Sequence, residues 1–395
     1  MKNPAPIDPV DFASQLIACP SITPADHGAL GVLQTALEAM GFTCTRYPFG
    51  KDGDEGERVD NLYARLGNSA PNFCYAGHTD VVPVGDEEAW SQPPFSGAIK
   101  DGYLWGRGAA DMKGGIAAYV GAVSELLASG WSPKGSLSFL ITGDEEGPAI
   151  NGTEKLLKAI TDAGEVIDHC LVGEPTNPTA LGQQIKNGRR GSLNAKITVT
   201  GNEGHVAYPK LASNPVPKLM AFLTALTARH LDDGNSGFQA SNLEVTSIDV
   251  GNKPHNVIPK TARAQFNIRF NTEHKGDDLK VWIMEELEKH AADFDGSIDA
   301  NLRVTGEAFL TQPCGFTDVL QAGVQAVLGK PAALSTAGGT SDARYITHYA
   351  PVAEFGLIGA TMHKVDERVL VSDIVQLTQI YREILIRYFG GGEES

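Results

Sequence analysis

The stretch Phe73-Cys74-Tyr75-Ala76-Gly77-His78-Thr79-Asp80 carries a short apolar run directly into a histidine and an acid. Such a run reads as a buried strand with its polar residues just beyond the carboxyl end. Three other runs repeat the arrangement. Residues 137–142 lead into Asp144-Glu145-Glu146, residues 169–172 into Gly173-Glu174-Pro175-Thr176, and residues 352–358 toward Thr361-Met362-His363. In open α/β sheets, ligands collect outside the carboxyl ends of the strands. Four strand ends are thus expected to bring His78, Glu145 with Glu146, Glu174 and His363 to one edge of one sheet. Asp111 enters differently, from the glycine-rich Gly106-Arg107-Gly108-Ala109-Ala110-Asp111 ahead of a helix predicted over 113–129.

Working outward, helices are expected over 8–18, 26–40 and 153–160, with further strands over 44–48 and 61–66. This strand–helix alternation predicts an α/β domain with a mixed sheet flanked by helices. The middle of the chain changes character. Strands over 192–200, 241–250, 260–270 and 297–304 and helices over 215–229 and 276–293 follow the order β-α-β-β-α-β, the ferredoxin-like pattern. Residues 187–301 therefore read as a domain inserted between 1–186 and 302–395. Helices over 316–328, 341–349 and 372–388 follow, and 390–395 reads as a frayed tail.

The chain has 395 residues, 42% hydrophobic and 20% charged, as in ordinary globular proteins of two domains. A formal net charge of −16 speaks against nucleic acid as a partner. No apolar stretch approaches the length of a membrane span, and no basic-then-apolar leader opens the sequence, so a cytoplasmic protein is expected. Five scattered cysteines, none in a Cys-x-x-Cys pair, disfavour both a disulfide framework and a thiolate zinc site.

Two imidazoles and three carboxylates form a nitrogen–oxygen donor set suited to paired Zn²⁺, with Co²⁺ or Mn²⁺ as neighbours in preference. Asp80 is placed to accept the second ring N–H of His78, which would orient that ligand; the competing reading is a surface turn. Asp111 could bridge two cations through its two oxygens, or simply cap the following helix. The glycine loop around it lacks the Lys-Ser/Thr of a phosphate-binding loop. Within the acidic triplet Glu146 suits a ligand and Glu145 a general base; a solvated turn is the alternative. Pro175 stiffens the segment that carries Glu174.

The runs Gly77–Pro83, Gly106–Gly115, Gly143–Gly147 and Gly173–Thr176 resemble the M20 family of di-zinc amidohydrolases and peptidases, and the resemblance extends over essentially the whole chain. It implies His78, Asp111 and Glu174 around one Zn²⁺ and Asp111, Glu146 and His363 around the other, Co²⁺ being possible in either place. It also implies Glu145 as base, Asp80 as the partner of His78, and the inserted domain as a lid through which the chain forms a homodimer. His205 would then stabilise an oxyanion across the dimer, with Asn256 acting there too. Arg189, Arg269, Gly339 and Thr340 would hold carboxylates of a small polyanionic substrate. Within the family, Gly188-Arg189-Arg190-Gly191-Ser192, Asn256-Val257-Ile258-Pro259 and Gly338–Arg344 point to an N-succinyl amide of 2,6-diaminopimelate; an N-acetyl amino acid, a dipeptide or a catalytically silent binding role are the alternatives. His255 and Gly359 stand where many relatives carry asparagine.

Overall fold

The computed structural model describes residues 5–50 and 56–390; most of the tail at 390–395 lies outside them. The chain forms two compact units. The first comprises 1–187, 311–335 and 341–395, and the second 188–310 together with 336–340.

The first unit is organised by the Asn72–His78 strand, every residue of which is buried. It runs parallel to two neighbours, Ser136–Thr142 and His169–Val172. The full sheet has eight strands, with Thr43–Arg46, Leu62–Leu66 and Ser136–Thr142 on one side of Asn72–His78. His169–Val172, Val352–Glu354, Gln184–Lys186 and Ala333–Ser335 continue on the other. Parallel and antiparallel pairs both occur, so the sheet is mixed as expected. Strands buried on both faces carry continuous apolar runs rather than alternation, which is why 73–76 and 137–142 stand out in the sequence.

The Gly114–Ala128 helix is apolar nearly all round and almost wholly buried, as a helix enclosed by its own domain must be. It packs with the Val371–Tyr388 helix around a cluster of tyrosines. Tyr75 and Tyr119 stack at 4.1 Å, and the hydroxyl of Tyr381 donates to the carbonyl of Phe355 at 2.6 Å. This core brings the start of the helix against the end of the His169–Val172 strand. A β-carbon on Gly115 would lie 2.7 Å from the Gly173 carbonyl, and one on Gly173 would lie 1.7 Å from the Tyr75 hydroxyl. Gly173→Ala is therefore expected to cost about 1–3 kcal/mol as an overpacked core position, read as a lowered midpoint in denaturant unfolding.

The second unit has its own core. Its four-stranded antiparallel sheet runs in the order Asn242–Asp249, Thr261–Phe270, Gly191–Thr200, Ser297–Gly306. The helices Pro215–Ala228 and Gly276–Ala291 complete the β-α-β-β-α-β order. Alternation along Gly191–Thr200 puts Leu193, Ala195, Ile197 and Val199 in the core beside Phe222, Phe266 and Ile283. Strand Phe309–Leu310 pairs with Gly188–Arg189, which keeps the chain in this unit nine residues beyond 301.

Two expectations from periodicity change. The helix over 341–349 is only Ala343–Ile346, and the 352–358 run is a strand only over Val352–Glu354. His363 consequently arrives on a loop, nine residues past its strand, and not at the strand end. Apolar periodicity reports burial, and buried loop residues such as Phe355 and Leu357 mimic a strand.

Candidate active site

His78 ends its strand, and its ring is 1% exposed. The ring Nδ1 lies 3.0 Å from the carbonyl oxygen of Asp80. A carbonyl can only accept, so Nδ1 carries a proton, and in the neutral ring Nε2 presents a lone pair. The Asp80 carboxylate stands 3.6 Å from the ring. Its closer partners are the backbone N–H groups of Glu145, 3.3 Å from Oδ1, and Glu146, 3.1 Å from Oδ2. Asp80 thus orients the imidazole through its main chain and the acidic turn through its side chain.

Asp111 is not a helix cap. The following helix begins at Gly114, and Asp111 itself is extended, at φ −126° and ψ 94°. Its two oxygens face two different histidines. Oδ1 lies 3.2 Å from Nε2 of His78, and Oδ2 lies 3.3 Å from Nε2 of His363. Glu174 Oε1 is 3.7 Å from the same nitrogen of His78, and Glu146 Oε1 is 2.9 Å from that of His363. His363 holds a left-handed conformation at φ 61°, uncommon for residues other than glycine. All five residues singled out by sequence therefore meet.

The donor set fits divalent cations. Nε2 of His78 and Oδ1 of Asp111 are both buried, and neither has a hydrogen-bond partner among the described residues. In the neutral ring, an Nε2 lone pair 3.2 Å from a carboxylate oxygen is unfavourable unless a positive charge, a proton or a cation, lies between them. Ligand atoms of His78, Asp111 and Glu146 come within 4.8 Å of one another, as do those of His78, Glu145 and Glu174.

Glu145 is itself a member of the second of these groupings. Loss of water around its carboxyl, and then the neighbouring charge of Glu174, hold it well above the usual carboxylate range.

Several further groups shape this centre without having had an expected role. Asp144 accepts the backbone N–H groups of Ile150 and Asn151 and so shapes the acidic turn from behind. Asp342 is buried, accepts from the Thr153 hydroxyl at 2.5 Å, and lies 3.9 Å from Arg344. Glu367 accepts from Arg107 and from the main chain at Asp111. A spacing rule cannot find partners 260 residues apart, as Arg107 and Glu367 are. At Gly359 a β-carbon would stand 3.1 Å from the Pro175 carbonyl, a tight contact.

The remaining expected residues belong to the second unit. Gly204–His205 pairs with Val257–Ile258, which places His205 beside Asn256. The Ala207 N–H donates to Nδ1 of His205 at 3.1 Å, so the neutral ring keeps its proton on Nε2 as a donor. Arg189 donates from Nη1 to the Gly339 carbonyl at 3.1 Å, which ties the Gly339–Thr340 turn to this unit. Arg269 lines the polar face of the sheet with Asn194, Lys196, Asn267 and Arg303. Arg190 is directed elsewhere in the same unit, donating to the side chain of Asn242.

Comparison with known proteins gives the family. The model of peptidase family M20/M25/M40 matches residues 74–387. The chain belongs to this family. The succinyl-diaminopimelate desuccinylase of Maricaulis maris (strain MCS10) is 62% identical over 382 residues, covering 97% of this chain and 96% of the relative. The protein of the same name from Caulobacter vibrioides (strain NA1000 / CB15N) is 56% identical over 393 residues, with 98% and 99% covered. Among solved structures, the M20 metallo-carboxypeptidase Sso-CP2 from Sulfolobus solfataricus superposes with a TM-score of 0.78 at 17% identity, covering 96% of this chain and 98% of that one. Aminopeptidase PepT from Bacillus cereus gives 0.77 at 18% identity, covering 96% and 97%. These two likenesses concern the fold.

Proposed function

We propose that this M20 hydrolase cleaves N-succinyl-L,L-2,6-diaminopimelate to succinate and L,L-diaminopimelate, a step of diaminopimelate and lysine biosynthesis carried out in the cytoplasm. The observation that carries the substrate is full-length identity of 62% to a relative of that name. The chemistry rests on the paired histidine–carboxylate groupings around Asp111.

His78, Asp111 and Glu174 would hold one Zn²⁺, and Asp111, Glu146 and His363 a second, with Co²⁺ as an alternative. When bound, the pair supplies Lewis acidity to the amide carbonyl and lowers the pKa of the attacking water. Glu145 takes the proton from that water and delivers it to the departing amine nitrogen. Asp80 holds the Glu145–Glu146 turn through two N–H bonds, so base and ligand are placed together. His205, donating from Nε2 and contributed across a homodimer, stabilises the oxyanion. Asn256 acts beside it. Arg189, Arg269 and the Gly339–Thr340 turn bind substrate carboxylates, and arginine is suited to that by its planar fork of donors. These focused cations offset the chain's net charge of −16.

Exposed apolar side chains on the second unit, Leu211 at 81% and Met220 and Ile248 at 59%, support self-association there. Ile248 lies on Asn242–Asp249, an edge strand of the sheet.

The deciding experiment is hydrolysis of succinyl-diaminopimelate beside acetylornithine and dipeptides, with metal content measured in the same sample. Turnover confined to the acetylated or peptide substrates would overturn the assignment. Arg189→Lys is expected to raise KM by about 10–100-fold with a smaller change in kcat, since a charged hydrogen bond contributes about 1.5–3 kcal/mol. Steady-state kinetics on the succinyl substrate measures this.

A further inference from the structure

One buried ion pair reaches three of the segments that carry candidate ligands, and neither of its members is itself a ligand. The side chains of Arg107 and Glu367 are 3% and 0% exposed and meet at 2.7 Å. Glu367 Oε1 accepts the N–H of Ala110 at 2.9 Å and of Asp111 at 3.2 Å, and its other oxygen accepts from Arg107. From the same Nη1, Arg107 donates to the Lys364 carbonyl at 3.0 Å, one residue past His363. Its Nη2 donates to the Pro83 carbonyl at 3.2 Å, in the run that follows His78 and Asp80. Trp90 closes the arginine from one side, with its ring centre 5.2 Å away and its own N–H on Val84. The main-chain N–H of Gly106 returns to the Glu367 carbonyl at 2.9 Å.

An apolar pair of similar volume could fill this space. It could not accept the N–H groups of Ala110 and Asp111 or satisfy the carbonyls of Lys364 and Pro83. Buried ion pairs add little net stability over such replacements, whereas this one fixes four main-chain groups in place. Here the geometry specified is the direction of the Asp111 main chain and the position of the left-handed loop at His363. Both bear on the grouping of Asp111, Glu146 and His363. The grouping of His78, Asp111 and Glu174 shares Asp111 with it, but its other two members stand at strand ends that the pair touches only through Pro83.

We propose that Arg107 and Glu367 are positioning residues for the His363 half of the metal centre, holding Asp111 and His363 so that the second cation binds tightly. This rests on the two-cation reading above.

The test titrates the metal-free full-length chain with Zn²⁺ against a chromophoric chelator, alongside Glu367→Gln, Arg107→Lys and His363→Ala. His363→Ala marks which of the two binding events belongs to this half. Glu367→Gln keeps the shape but turns an N–H toward the arginine. It is expected to weaken that same event by at least about 10-fold, the scale of lost support around a metal ligand, and the other by less than about 3-fold. Arg107→Lys keeps the charge, loses the fork, and should give a smaller loss in the same event. Equal weakening of both events, or unchanged affinities with a lowered melting temperature, would make the pair a plain structural brace and overturn the proposal. If Glu367→Gln does not fold, Arg107→Lys is read by the same criteria. A wild-type chain that binds no cation would instead defeat the two-cation reading.

Discussion

Glu145→Ala is expected to lower kcat by on the order of 10²–10⁴-fold, the range for removing a general acid–base group, while both cations remain bound. The reason is positional. Glu145 shares its turn with Glu146, whose carboxylate meets His363, and Asp80 holds both backbone N–H groups. Removing the Glu145 carboxylate leaves those contacts in place. Glu145→Gln should behave alike, because an amide of the same shape accepts no proton at neutral pH. Turnover is measured with metal content in the same preparation. Wild-type rates in either variant would remove Glu145 from the mechanism, and loss of metal would make it a ligand.

The second large effect is expected at Asp111. Each of its oxygens faces one histidine, so Asp111→Ala strips a negative donor from both halves at once. Cation binding should fail at both, and kcat/KM should fall by on the order of 10³-fold or more, the scale of losing electrostatic stabilisation of an oxyanion. Dialysis followed by elemental analysis reads the first effect and initial rates the second. By contrast His363→Ala touches only one of the two histidine contacts, and should leave one cation bound. A variant at Asp111 that retained two cations would refute the bridging role.

Much of this centre is legible in the sequence. His78 and Glu174 lie at or just after buried parallel strands, where an apolar run ending in a polar residue is a local signal. The glycines around Asp111 signal close packing, and Gly115 sits tightly against Gly173. His363 is the residue that the apolar run points to, but its support differs, since the strand stops at Glu354 and a loop carries the histidine. Asp80 is the finer case. Its spacing from His78 suggests a carboxylate–imidazole bond, whereas the main-chain carbonyl is the nearer acceptor and the carboxylate turns to the acidic loop. Two atoms of one residue compete for the same ring nitrogen, and only the backbone path at Thr79 and Asp80 chooses between them.

By itself the sequence determined that His78, Glu145, Glu146 and Glu174 follow buried strands, and hence much of the chemistry available, because strand burial and side-chain type are local properties of the chain. Only the tertiary structure decided that Asp111 turns one oxygen to each histidine and that Glu367 accepts its N–H from 256 residues away. Those relations depend on where separate loops come to rest on a shared core. That placement is set by the packing of the Gly114–Ala128 helix against the sheet, which no single stretch of sequence encodes.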